Sequence, residues 1–144
     1  MFFSKVNMSE WEEIPKYPTC FVCGERNPIG LNMTFYGRGS EVEAEFIAKP
    51  EYCGYEGIVH GGIVTAVLDE GMGWTGWMAF GKYYLTMELK VRFRAPVRPN
   101  VRYKFKGELT KHRGKIFFAR GSLIDPDGAV VADGEGKYYI VDNI

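Results

Sequence analysis

The feature that most constrains this chain is the run Gly57-Ile58-Val59-His60-Gly61-Gly62-Ile63-Val64-Thr65-Ala66-Val67-Leu68-Asp69-Glu70-Gly71-Met72-Gly73. Two adjacent carboxylates, Asp69 and Glu70, stand inside a stretch whose apolar residues recur around most of a helical circumference. The pattern continues through Trp74, Trp77 and Met78. It predicts one long helix from Gly61 to about Phe80, buried on most sides, with Gly81 able to end it. Burying an ionised carboxylate is expensive unless something pairs with it. The acidic pair therefore needs a reason beyond packing.

Helix geometry narrows that reason. The first N–H groups of a helix starting near Gly61 lack intrahelical partners and carry partial positive charge. Glycines there let a ligand approach the backbone, and an N–H facing a reacting carbonyl is an oxyanion donor. Asp69 lies further along the axis by about 12 Å, at 1.5 Å per residue. A carbonyl held at the helix start is thus out of reach of Asp69 of the same chain. If both groups serve one substrate, the acid comes from an antiparallel copy, and a two-fold dimer with composite sites is expected. Glu70 is turned from Asp69 by about 100° and is expected to be structural or supporting.

Strands surround this helix. Segments 31–36 and 41–47 flank Gly37-Arg38-Gly39-Ser40 as a hairpin, and Val42, Ala44 and Phe46 alternate with Glu41, Glu43 and Glu45. Four further strands are expected over 84–94, 101–109, 115–124 and 129–141, the last two joined by Asp125-Pro126-Asp127-Gly128. Leu89, Val91 and Phe93 alternate with Lys90, Arg92 and Arg94, giving one apolar and one basic sheet face. Residues 1–19, with Pro15 and Pro18, suggest an arm or a short helix. The expected architecture is α+β in one domain over 1–144: a long helix wrapped by an antiparallel sheet of about five to six strands.

Eighteen Lys and Arg balance eighteen Asp and Glu, so no global field favours nucleic acid. No apolar run approaches the roughly 20 residues of a membrane span, and the first residues carry no signal-peptide core. Three cysteines argue for a reducing compartment; a cytoplasmic protein is expected. Locally the balance fails: Lys90 to Arg120 holds eleven basic residues against one acid, Glu108. Cys20-x-x-Cys23 lacks the second pair of a four-ligand zinc site, since Cys53 stands by itself. Small thiols packed in a loop, and no metal, are expected.

His60-Gly61-Gly62 followed by Asp69, together with the earlier Cys20-Phe21-Val22-Cys23-Gly24-Glu25-Arg26-Asn27-Pro28-Ile29-Gly30-Leu31, resembles the hotdog-fold acyl-CoA thioesterases of the PaaI-like thioesterase-superfamily branch. The resemblance runs from about Cys20 to about Ile140. It implies hydrolysis of an acyl-CoA by a homodimer, the partners being the acyl-CoA and further copies in a homotetramer, without a cofactor. Asp69 matches the general base or nucleophile and Gly61 the oxyanion donor. His60 matches a residue that orients substrate or satisfies buried backbone, and Thr86 one that positions water or thioester. Some related enzymes place Asn or Gln six residues before the histidine; here Gly54 stands there, as in the subgroup with a Gly-rich loop before His-Gly-Gly. Coenzyme A phosphates call for cations, for which Arg92, Arg94, Lys111, Arg113 and Lys115 are candidates, with Gly62 beside the thioester. Trp74, Trp77, Tyr83 and Tyr84 are either acyl-pocket wall or core. The rivals are a hotdog hydratase and a non-catalytic acyl-CoA-binding hotdog protein.

Overall fold

Helix α1 (Gly61–Phe80) occupies the span its periodicity predicts. His60 caps its start, and Gly81, at φ 64°, ends it by donating its N–H to the Trp77 carbonyl at 2.8 Å. Val67, Leu68 and Met72 are fully buried. The helical glycines make room for aromatic rings from the sheet. A Cβ on Gly71 would lie 2.2 Å from the Phe105 ring, on Gly73 2.1 Å from Tyr84, and on Gly76 2.2 Å from Phe117. Gly71→Ala is therefore expected to lower stability by about 1–3 kcal/mol through overpacking, although alanine gains roughly 1 kcal/mol in helix propensity. Denaturant midpoints check this; an unchanged midpoint would mean the Phe105 ring can withdraw.

The computed structural model describes residues 10–143. Its strands are β1 (Glu12–Glu13), β2 (Phe35–Arg38), β3 (Glu41–Ile47), β4 (Tyr83–Phe93), β5 (Arg102–Arg113), β6 (Ile116–Ile124) and β7 (Val130–Val141). They form one antiparallel sheet in the order β1-β2-β3-β5-β6-β7-β4, curled around α1. This is the hotdog arrangement, with seven strands where five to six were expected. The addition is β1, which pairs with β2 at Glu12–Gly37 and Glu13–Tyr36. Of the expected arm, 1–9 lies outside the described residues, whereas Trp11 and Ile14 are buried against the body. β2 starts later than predicted and runs through Gly37 and Arg38, leaving a tighter turn at Gly39, where φ is 59°. The Asp125–Gly128 turn forms as expected, with Asp125 Oδ1 accepting the N–H groups of Asp127 and Ala129 at 2.9 Å each.

Two features of the sheet shape the site. The first is a bulge in β4 at Met87, between Thr86 and Glu88, which are opposed to Tyr138 and Lys137 on β7. One extra residue reverses side-chain alternation. Tyr84 and Thr86 face α1 before it, and Leu89 and Val91 pack on the core after it. The second concerns charge. The basic outer positions of β5 meet acids of the neighbouring strands: Lys104 with Glu43 at 3.3 Å and Arg102 with Glu45 at 3.7 Å, while Arg120 on β6 pairs with Glu108. Much of the local basic excess is thus matched across strands. No helix among the described residues is long and apolar enough to cross a membrane.

Candidate active site

Asp69 and Thr86, far apart in sequence, meet where β4 passes the middle of α1. The Thr86 hydroxyl donates to Asp69 Oδ1 at 2.8 Å, and the Tyr138 hydroxyl donates to the Asp69 carbonyl at 3.1 Å. Burial pushes the Asp69 carboxyl above its ordinary range, and the hydrogen bond from Thr86 opposes that rise. The acid opens onto a cavity of ≈ 520 Å³ walled by Tyr17, Cys20, Glu70, Trp74, Tyr83, Tyr84 and Leu85. Three of the four aromatics in question, Trp74, Tyr83 and Tyr84, thus serve both wall and core; Trp77 packs behind them, edge-to-face with Trp74 and tilted against Tyr83.

The other predicted group sits at the helix start. His60 is the N-cap, its Nδ1 accepting the Gly62 N–H at 2.8 Å. The Gly62 donor, expected beside the substrate, is therefore committed to the histidine. The N–H groups of Ile63 and Val64 go to the His60 carbonyl. Among the described residues the Gly61 N–H has no partner, so it is the free donor of this terminus. His60 and Gly61 line a second cavity of ≈ 530 Å³ with Gly54, Tyr55, Phe93 and Arg94. The Phe93 ring comes within 3.5 Å of where a Gly61 Cβ would be. Both cavities border β4, one near each end, and a single chain keeps its acid and its free N–H apart.

Sequence reasoning missed a cluster beside Asp69. Glu70 lines the same cavity as its neighbour but turns to other partners: the Trp74 indole N–H donates to it at 2.8 Å, and Cys20 Sγ lies 3.4 Å from each of its oxygens. Burial, followed by the nearby Cys20, raises its pKa to about 7. Cys20 is lowered to about 5, chiefly by a hydrogen bond from Cys23 and then by the backbone N–H groups of Cys23 and Val22. Cys23 is raised by the same bond and by burial. The signal available in the sequence was a Cys-x-x-Cys turn and an unexplained buried glutamate, fifty residues apart.

The five predicted cations do not form one patch. Arg92 and Arg94 both pair with Asp133, Arg92 at 3.9 Å, and Arg94 borders the Gly61 cavity. Lys111 lies over the Phe118 ring at 4.7 Å, and Lys115 pairs with Asp142 at 3.5 Å. Strand registers put Arg92 beside Asp133, but Lys111 beside Phe118 and then Lys137. Four rows and three strands separate them, roughly 20 Å at 3.3 Å per residue and 4.8 Å per strand. Arg113, at the end of β5, lies further still along the sheet.

Comparison with known proteins gives the family. Residues 56–132 match the family model of the thioesterase superfamily. An uncharacterised protein of Schizosaccharomyces pombe is 33% identical over 94 residues, 65% of this chain and 53% of the relative. A 3-hydroxyacyl-[acyl-carrier-protein] dehydratase of Nitratiruptor is 40% identical over 60 residues, 42% of this chain and 39% of the dehydratase. The chain thus spans about half, or less, of the curated relatives it matches. Among solved structures, the thioesterase superfamily protein RHA08564 superposes with a TM-score of 0.77 at 24% identity, over 85% of this chain and 60% of that one. A hypothetical thioesterase of Streptococcus pneumoniae, solved with coenzyme A, gives 0.67 at 15% identity over 71% and 82%. At these identities the structural matches speak for the fold.

Proposed function

Because the chain belongs to the thioesterase superfamily, we propose that it hydrolyses an acyl-CoA thioester to free acid and coenzyme A, at a site shared by two copies. The observation that carries this is the split geometry: an acid aligned by Thr86 near one end of the edge strand, and a free helix N–H near the other. β4 is the last strand of the sheet and pairs with β7 on one side. Pairing it antiparallel with its twin, about an axis near Leu89, brings each Asp69 cavity against the partner's Gly61. A homotetramer would be a pair of such dimers.

The Gly61 N–H then holds the thioester oxygen as negative charge develops on it. Asp69 of the other copy either takes a proton from attacking water or attacks the carbonyl carbon itself. The C–S bond breaks, the sulfur leaves as the coenzyme A thiol, and water supplies the acid's hydroxyl. No cofactor is required by these steps. The Streptococcus pneumoniae neighbour holding coenzyme A supports a coenzyme A ester as substrate, and Arg94 is the predicted cation that lines the Gly61 cavity. Lys111, Arg113 and Lys115 stand too far along the sheet to share that task in one chain.

Thiol release from a panel of acyl-CoAs, short to long chain plus phenylacetyl and benzoyl, tests the proposal; coenzyme A esters bound without turnover would favour a binding protein. The dehydratase relatives give a second reading, checked in the same panel by hydration of an enoyl-CoA. Thr86 acts through Asp69 as a positioning residue. Thr86→Val is expected to lower kcat about 10-fold with KM little changed, from loss of a hydrogen bond to a charged group. Thr86→Ser should restore most of it. A loss in Thr86→Ser with Thr86→Val still active would mean that the methyl group, and not the hydroxyl, matters.

A further inference from the structure

Cys20, Cys23 and Glu70 form a cluster that the proposed hydrolysis leaves unused. The loop before β2 folds tightly at Cys20-Phe21-Val22-Cys23-Gly24, with Gly24 N–H donating to the Cys20 carbonyl at 2.9 Å and Val22 N–H pointing to Cys20 Sγ at 3.4 Å. Gly24 is required there: a Cβ would lie 2.5 Å from the Cys20 nitrogen and from the Pro18 carbonyl oxygen. The turn brings both sulfurs to α1, where Glu70 meets them with its carboxylate braced by Trp74 at 2.8 Å. All three donor atoms lie within 4.8 Å of one another.

Charge makes the cluster more than a packed loop. The cavity wall beside it holds Asp69, Glu70 and Cys20 and no cationic side chain. No ion pair among the described residues engages Asp69 or Glu70. A metal ion seated there would supply the missing positive charge and hold the coordinating thiols as thiolates. We propose that Cys20, Cys23 and Glu70 bind a zinc ion whose fourth coordination position opens to the Asp69 cavity.

Two sulfurs and a carboxylate suit a borderline-soft, four-coordinate ion and not calcium or magnesium, which take all-oxygen shells. With Zn–S of about 2.3 Å and Zn–O of about 2.0–2.2 Å, tetrahedral donors stand roughly 3.5–3.8 Å apart. The Cys20–Glu70 spacing already matches, and the cluster need contract only slightly elsewhere. Cys23 is 1% exposed, so the ion enters from the cavity, past Cys20. Once bound, it ties the loop to the helix turn that carries Asp69. Hydrolysis is not a premise of this site, and binding is read without turnover.

The test is anaerobic titration of the reduced, chelator-stripped protein with Co²⁺. One equivalent is expected to bind with thiolate-to-cobalt charge transfer and the visible bands of four-coordinate cobalt, both erased by Zn²⁺. Cys23→Ser should lose about half the charge-transfer intensity and bind at least about 10-fold more weakly. Glu70→Gln should weaken binding but keep the charge transfer, and Cys53→Ser should change nothing. Absence of the charge-transfer band in the wild type, a six-coordinate spectrum, or a Cys20–Cys23 disulfide formed in place of binding would overturn the proposal. So would a band left intact by Cys23→Ser. The wild-type titration decides the matter even if a variant fails to fold.

Discussion

A chain carrying Gly61→Pro and a chain carrying Asp69→Asn, each nearly inactive by itself, are expected to regain activity when refolded together. Asp69→Asn keeps shape and the Thr86 contact but removes the base or nucleophile, a loss of about 10³-fold in kcat. Gly61→Pro removes one N–H. Gly61 is the first helical residue, where proline is tolerated because that donor has no helical partner. His60, at φ −57° and ψ 133°, already has the backbone a following proline demands. A Cβ at this position would meet the Phe93 ring at 3.5 Å, an ordinary contact. Losing an oxyanion donor should cost about 10²–10³-fold in kcat. In a 1:1 mixture half of the dimers are mixed, and each has one site with both groups intact, so about one quarter of wild-type activity returns. A mixture as inactive as its parents would mean that the sites are not shared. A fully active Gly61→Pro homodimer would mean that the oxyanion donor lies elsewhere.

What the sequence disclosed about this site follows from which contacts are local. The helix limits, His60-Gly61 at its start and the carboxylates on its body depend on spacing along one element, and α1 runs over the predicted residues. The distance from Gly61 to Asp69 needs nothing but the rise of a helix. Strand alternation gave the faces of β3 and of β4 after Leu89. It could not give the bulge, because Met87 is apolar and alternates acceptably on paper with Leu85 and Leu89. Yet the bulge lets Thr86 and Leu89 face the same helix. The Cys20–Glu70 contact was hidden for another reason. It joins an irregular loop to a helix fifty residues on, and neither periodicity nor propensity reports on such a pair. The basic run misled in the opposite way. Strands consecutive in sequence, β4 and β5, stand three places apart in the sheet, so one stretch of charge became two separated groups, with Asp133 beside one and Asp142 beside the other.

Met87→Asp is expected to leave the protein folded and monomeric at assay concentrations, with at least about 100-fold weaker self-association and a matching loss of activity. β4 spans eleven residues at the rim of the sheet, a length of unpaired backbone that invites pairing with another strand. Its side chains are also those of a buried surface: Leu85, Met87 and Phe93 are 54%, 50% and 55% exposed in the single chain. Leaving such a row wet is unfavourable, and burying it against its twin removes both liabilities. Met87 is the bulged residue, outside the β4–β7 register, so changing it spares the chain's own sheet. At a two-fold interface the new carboxylate is introduced twice, near its own copy, and like charges taken from water without partners oppose association strongly. Sedimentation and turnover over a range of protein concentrations would follow the two effects together. Activity should rise with concentration as dimers re-form. The monomer retains Asp69 with Thr86 and Gly61 with its free N–H, so a chemistry confined to one chain would survive the substitution; a folded monomer working at the wild-type rate would exclude the shared site. If the variant stayed dimeric, the apolar rim of β4 would not be the surface that joins the copies.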